Sequence, residues 1–118
     1  MSVAVIDRND VVLRGRVSAP AELKSLPSGD TLVTFRLVVR RPEPRARGQS
    51  VDVLTCLTYD RALQRRIAAW GAGDVVEVEG ALQRRFWRTA SGTASVTEVN
   101  CRRGRKVPRS ADPDARTA

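Results

Sequence analysis

The chain has 118 residues, which suits a single domain, and a hydrophobic content of 42% allows a modest core. Its formal charge is +8, from 21 basic and 13 acidic residues, and it contains no histidine. The lack of histidine excludes Ser-His-Asp and Cys-His catalysis, imidazole bases and every zinc site that needs an imidazole ligand. A strongly basic domain has to meet anions, and nucleic acid is the commonest such partner.

Signals for membranes, secretion and metals are not found in the sequence. No apolar run reaches about 18 residues, so we expect no membrane span. Residues 1–7 lack a basic region followed by a long apolar core, so we expect no signal peptide. Cys56 and Cys101 form neither a four-thiolate zinc motif nor a CxxC motif. These features predict a cytoplasmic protein with reduced, packed thiols and no metal or cofactor.

Apolar and polar residues alternate in three segments of the first half of the chain, as in half-buried strands. These strands are predicted over residues 10–17, 31–40 and 50–59. Gly15, inside the first, predicts a bulge or sharp bend of the kind that a tightly coiled barrel needs. Residues 18–30 and 41–49 contain prolines and are predicted to be loops.

The apolar period changes after the third predicted strand. Residues 60–70 place Leu63, Ile67 and Trp70 on one stripe of a helix. Asp60 is a candidate N-cap, and Gly71 stands where a C-terminal cap belongs. Trp70 is therefore expected in the core or in an interface.

Two further strands are predicted after the helix, over residues 75–88 and 94–101. Residues 104–118 contain prolines and basic residues and are predicted to form a disordered basic tail, outside a domain of residues 1–103. The order is three strands, one helix and two strands. An all-β, five-stranded barrel with one helix between its third and fourth strands is the pattern of the OB-fold.

Six segments, in the same order, resemble the bacterial single-stranded DNA-binding protein family and together extend over about residues 9–103. They are residues 9–17, 26–30, 34–39, 73–82, 84–87 and 97–99. The resemblance implies sequence-independent binding of single-stranded DNA during replication, recombination or repair. It also implies a nucleoid-associated location, assembly into a homotetramer or homodimer, and no small-molecule substrate or membrane partner.

A single strand is bound by cations along its phosphates and by aromatic faces for its unstacked bases. Residues 84–88, Arg-Arg-Phe-Trp-Arg, supply both. The resemblance puts Trp87 and Tyr59 at base-stacking positions, with Arg61 at a basic position nearby. The candidate nucleic-acid-binding residues are Trp87, Tyr59, Phe86, Arg84, Arg85, Arg88, Arg36, Arg40, Arg41, Arg61, Arg14 and Arg16. The alternatives are that Phe86 or Trp87 packs in the core and that Tyr59 is a half-buried ring at a strand end.

The chain departs from the family in two places. Family members carry further tryptophans in their second and third strands, where this chain has Val53 and no ring in the loop after its second strand. It also lacks the acidic C-terminal tip that recruits other proteins in the family. The second departure favours a specialised paralogue, or one that co-assembles with a full-length form.

Two other functions stay open from the sequence. One is an OB-fold protein that binds structured RNA, because the same arginines would serve. The other is a primosome-type protein-interaction module, which the loss of stacking rings would favour. We do not expect an enzyme, because no pair of carboxylates has a spacing typical of a metal or acid/base site.

Overall fold

The structure is a computed structural model that describes residues 6–43 and 47–108. Those residues form six strands and one short helix. The elements are β1 (Val11–Val17), β2 (Glu22–Ser25), β3 (Thr31–Arg40), β4 (Val51–Thr58), α1 (Arg61–Ile67), β5 (Val75–Thr89) and β6 (Gly92–Lys106). No described helix has the length and apolar character that crossing a membrane would require.

Five of the strands close into a ring. They follow one another in the order β1-β5-β6-β4-β3, and β1 pairs again with β3 at Arg16↔Val38 and Val17↔Leu37. The pairing of β4 with β6 is parallel, and the other pairings are antiparallel. A closed five-stranded ring with its helix between the third and fourth ring strands confirms the predicted OB-fold.

Gly15 marks the place where β1 changes partner. Before it the strand pairs with β5, and from Arg16 onward it also pairs with β3. A Cβ atom at position 15 would clash with the backbone carbonyl of Val38. A glycine is therefore needed for this close approach of two backbones, at the position where the sequence predicted a bend.

Strand β2 lies in a segment that we predicted to be a loop. It pairs with β3 from Glu22↔Thr34 to Ser25↔Thr31 and lies outside the ring. All four of its residues are exposed. Without a buried face the segment shows no alternation of apolar and polar residues, so its sequence gives no strand signal.

Helix α1 begins as predicted, and it ends earlier. The backbone N–H of Leu63 donates to the Asp60 carboxylate over 2.9 Å, which confirms the N-cap. The prediction that the helix extends to residue 70 and is capped by Gly71 is wrong, because the helix ends at Ile67 and Ala68 is its C-cap. Trp70 therefore enters the core from the turn after the helix.

The core fills the ring on the side that α1 covers. The Trp70 ring meets Phe35 edge to face, with 5.6 Å between ring centroids, which confirms that Trp70 belongs to the core. A Cβ at Gly104 would come within 2.8 Å of the Trp70 ring. The other buried core residues are Val17, Val33, Leu37, Cys56, Leu63, Ile67, Val76, Val78, Val99 and Cys101.

Cys56 and Cys101 are free thiols buried in this core. The contact with Cys101 raises the pKa of the Cys56 thiol, and burial raises that pKa further. Cys56 is therefore a protonated packing residue at neutral pH, in line with the packed thiols that we predicted.

Strand β6 ends at Lys106, beyond its predicted end at residue 101 and beyond the predicted domain boundary at residue 103. Its last residues pair with β5 at Arg105↔Glu77 and Lys106↔Val76. Gly104 is the inward-facing residue of this stretch. Because glycine has no apolar side chain, the sequence shows no alternation of apolar and polar residues there, and the strand was not predicted. Residues 109–118 of the predicted tail lie outside the described residues.

Candidate nucleic-acid interface

A groove of about 790 Å³ brings several of the candidate residues together. It is lined by side chains from β2, β3, β4, β5 and β6, among them Arg36, Tyr59, Arg85 and Trp87. Tyr59 and Trp87 expose 49% and 41% of their surfaces, so neither ring is part of the core. Both predicted stacking rings and two of the predicted arginines therefore share one open site.

Strand alternation places two ring–guanidinium pairs on opposite faces of the β5–β6 hairpin. The Arg85 guanidinium carbon lies 4.9 Å from the centroid of the Trp87 ring on the groove side. On the other side, the Arg84 guanidinium carbon lies 5.0 Å from the centroid of the Phe86 ring. Phe86 is 60% exposed and thus also outside the core. Each face carries a ring and a cation, as predicted, and only the Trp87 face opens into the groove.

Glu98 is a groove residue that we did not predict. Its side chain is 5% exposed, and its Oε1 accepts a hydrogen bond of 3.2 Å from Arg85 Nε. The residue stands opposite Gln83 in the β5–β6 ladder. The sequence gives no sign that Glu98 is buried. The alternation from Val96 to Asn100 indicates which residues share a face of the strand, but it does not indicate which residues of other strands lie beside Glu98.

The groove combines polar and apolar groups. Three of its lining side chains are cationic, namely Lys24, Arg36 and Arg85, and Glu22 and Glu98 are acidic. Glu98 pairs with Arg85 through Nε, and Arg36 and Lys24 are the other two cations of the groove. Arg36 stands opposite Thr55 in the β3–β4 ladder, and Thr55 also lines the groove.

Arg14 and Arg41 hold carboxylates outside the groove. Arg14 Nη2 lies 2.9 Å from Glu77 Oε2, and its hydrogen bond lowers the pKa of Glu77. Arg41 donates to both oxygens of Asp52, over 2.9 and 3.0 Å, which lowers the pKa of Asp52 and raises that of Arg41. Two of the arginines that we predicted to bind DNA are therefore already paired with carboxylates in the folded protein.

The remaining candidates also lie away from the groove. Arg61 begins α1 and lines a separate cavity of about 340 Å³ together with Arg65. Arg16 lies near the end of β1 and Arg40 at the end of β3. Arg88 follows Trp87 on β5 and is exposed. None of these four arginines contributes to the lining of the groove.

Known proteins resemble this chain in fold and over most of its sequence. The single-strand binding protein family matches residues 8–106. The chain belongs to this family. Similar curated relatives are named as DNA-binding proteins, and the family is non-enzymatic, as we expected for this chain.

Two bacterial relatives illustrate the extent of the match. Single-stranded DNA-binding protein 1 of Staphylococcus aureus (strain COL) is 34% identical over 95 residues, which cover 79% of this chain and 57% of that protein. Single-stranded DNA-binding protein A of Bacillus subtilis (strain 168) is 33% identical over 93 residues, which cover 77% of this chain and 54% of that protein. The chain therefore spans little more than half the length of these relatives.

A solved structure of a more distant relative has the same fold. It is a structure of Plasmodium falciparum SSB in complex with ssDNA, which aligns with a TM-score of 0.72 and 27% identity. The alignment covers 89% of this chain and 97% of that one. The likeness thus includes nearly the whole of the other protein's chain.

Proposed function

We propose that the protein binds single-stranded DNA without sequence preference and protects it during replication, recombination or repair in the bacterial cytoplasm. Tyr59 and Trp87 would stack unpaired bases, and Arg36 and Arg85 would contact the phosphates. The observation that carries the proposal is the meeting of two exposed rings and two guanidiniums in one groove. Stacking needs only the flat face of a base, so such a site tolerates any sequence.

Family membership supports this function, and the similar structure is a complex with ssDNA. Tyr59 and Trp87 are the exposed aromatic rings among the residues that line the groove. Each stacked base is worth about 1–3 kcal/mol, so the loss of either ring should weaken binding measurably. Val53, at the position of a further family tryptophan, is 53% exposed and does not line the groove.

We also propose that the protein assembles as a homodimer or homotetramer through β1. From Val11 to Arg14, the strand pairs with β5 alone among the described strands, so its other edge is open to a second copy. Val12 and Ile6 expose 61% and 90% of their surfaces in and next to this stretch. Val3 and Val5, which we expected to join such an interface, lie outside the described residues.

Titration of tryptophan fluorescence with oligo-dT tests the binding proposal. Stacking of a base on Trp87 should quench its emission, while Trp70 stays buried against Phe35. Trp87→Ala should remove most of the quenching and weaken binding about 5- to 160-fold. Phe86→Ala is the matched control, because it removes an exposed ring from the other face of the same strand, and it should weaken binding less.

In the same experiment, duplex DNA and oligo-U are added as competitors of oligo-dT. We expect duplex DNA to compete poorly, because its bases are already stacked, and oligo-dT to be bound at least as tightly as oligo-U. An absence of quenching, or equal affinity for duplex DNA, would reject the proposal. Stronger competition by oligo-U would assign the groove to RNA.

A further inference from the structure

Glu98 is a buried carboxylate in a groove to which we assign a polyanion. We propose that Glu98 is a positioning residue: it holds the Arg85 guanidinium over the Trp87 ring, so that a nucleotide meets a cation and a ring that are already assembled. This inference rests on the function proposed above. It assigns a role in that function to an acidic residue that would otherwise oppose it.

One partner of this ion pair is buried and the other is exposed. Glu98 lies on β6, paired with β5, and its side chain is only 5% exposed. The Arg85 side chain is 57% exposed and contacts Glu98 through Nε and Trp87 through its guanidinium, 4.9 Å from the ring centroid. A free arginine side chain loses rotamer entropy when a ligand fixes it in one conformation. Two contacts in the unbound protein reduce what remains to be lost when DNA binds.

The pairing also determines what Arg85 offers to a nucleotide. The hydrogen bond to Glu98 uses Nε–H, and the two terminal nitrogens, Nη1 and Nη2, carry the other four N–H donors of the guanidinium. They can donate to a phosphate oxygen in a charge-assisted hydrogen bond. Because the guanidinium covers one face of the Trp87 ring, a base can stack only on the opposite face. The three residues thus form a subsite for a single base and an adjacent phosphate.

The sign of a mutational effect distinguishes this role from simple electrostatics. A carboxylate that only repelled phosphates would weaken binding, so its neutralisation would tighten the complex. A carboxylate that positions Arg85 has the opposite effect, because its loss releases the guanidinium. Glu98→Gln removes the charge at almost constant size. Glu98→Asp keeps the charge and withdraws it from Arg85 by one methylene.

The experiment measures oligo-dT affinity at several salt concentrations for the full chain and its variants. We expect Glu98→Gln and Glu98→Asp each to weaken binding by about 3- to 10-fold, most clearly at high salt, where phosphate attraction is screened. In an Arg85→Ala background, Glu98→Gln should no longer weaken binding. Asp10→Asn is the matched control, since Asp10 accepts hydrogen bonds from Arg8 and Arg102 outside the groove.

Each alternative outcome has a separate meaning. Equal or tighter binding by both Glu98 variants would overturn the positioning role. So would an equal loss in the Arg85→Ala background, because Glu98 would then act on the fold and not through Arg85. A wild-type protein that binds no oligo-dT would overturn the proposed function, and this inference with it.

Discussion

Arginine side chains in this protein differ mainly in whether they form an ion pair with a carboxylate. Arg14 and Arg41 each lie 2.9 Å from a carboxylate oxygen, whereas Arg36 lines the groove. A phosphate that approached Arg14 or Arg41 would compete with Glu77 or Asp52. The contribution of an arginine to DNA binding should therefore depend on its partner more than on its exposure.

This difference predicts unequal salt effects for Arg36, which lies within β3, and Arg41, which follows the end of that strand. Arg36→Gln should flatten the plot of log affinity against log salt by about 0.7, the contribution of one phosphate contact in a single strand. Arg41→Gln is the comparison, and it should change the slope much less, because Asp52 neutralises Arg41. Oligo-dT titrations between low and high salt measure both slopes, and equal changes would contradict the assignment.

The residues of the groove were only partly predictable from the sequence. Trp87 and Tyr59 could be predicted, because ring and cation types, strand period and family resemblance agree at those positions. The ion pairs of Arg14 and Glu98 could not, because their partners are 63 and 13 residues away in the chain. Alternation gives the face of a strand, and only the folded sheet gives the neighbour.

At the level of elements, the glycine at position 15 allows β1 and β3 to approach each other closely. A methyl group at Gly15 would meet the carbonyl of Val38 at the point where β1 passes from β5 to β3. Gly71, in the turn before β5, has space for a Cβ, with its nearest neighbour 3.9 Å away. The two positions therefore differ in the room available to a side chain.

Gly15→Ala should destabilise the protein by about 1–3 kcal/mol, the usual range for overpacking, because backbone atoms must move to relieve the clash. Gly71→Ala, as the control, should change stability by less than about 1 kcal/mol. Thermal unfolding followed by circular dichroism measures both. Equal melting temperatures for the two variants would show that β1 tolerates a side chain at its bend.

The elements that carry a regular period were predictable, and those without one were not. The five ring strands and the start of α1 follow from alternation and from the Asp60 cap. The short strand β2 has no buried face, and the end of β6 places Gly104 at its inward position. The predicted end of α1 was wrong, because Trp70 continues the apolar stripe of the helix although the helix itself ends at Ile67.

At the scale of the whole molecule, several carboxylates form short ion pairs with arginines, and a net charge of +8 remains. Hydrogen bonds from arginines lower the pKa values of Asp10, Asp52 and Glu77. Carboxylates with lowered pKa values in the folded state stabilise it at pH values above their unfolded pKa, near 4. That stabilisation is lost as the pH falls through the folded values, and the unbalanced positive charge grows at the same time.

We therefore expect the melting temperature to fall as the pH is lowered from about 5 to about 3. Glu77→Gln should make this decrease shallower, because it removes the carboxylate that Arg14 and Arg105 share. The pairs are exposed, so added salt should weaken the effect. Parallel pH profiles for the wild type and Glu77→Gln would contradict this account of acid stability.

The ring contains two short pairings, β1 with β3 and β4 with β6, which have two residue pairs each, whereas β3 and β4 share eight. Local opening of a fold starts where few bonds have to break, so we expect the β1–β3 seam to be among the first parts of the ring to exchange its amide protons with solvent. When the seam opens, β1 stays attached to β5 along the rest of its length. The edge that we propose for a second copy of the chain would then be longer, so we expect opening of the seam to favour assembly.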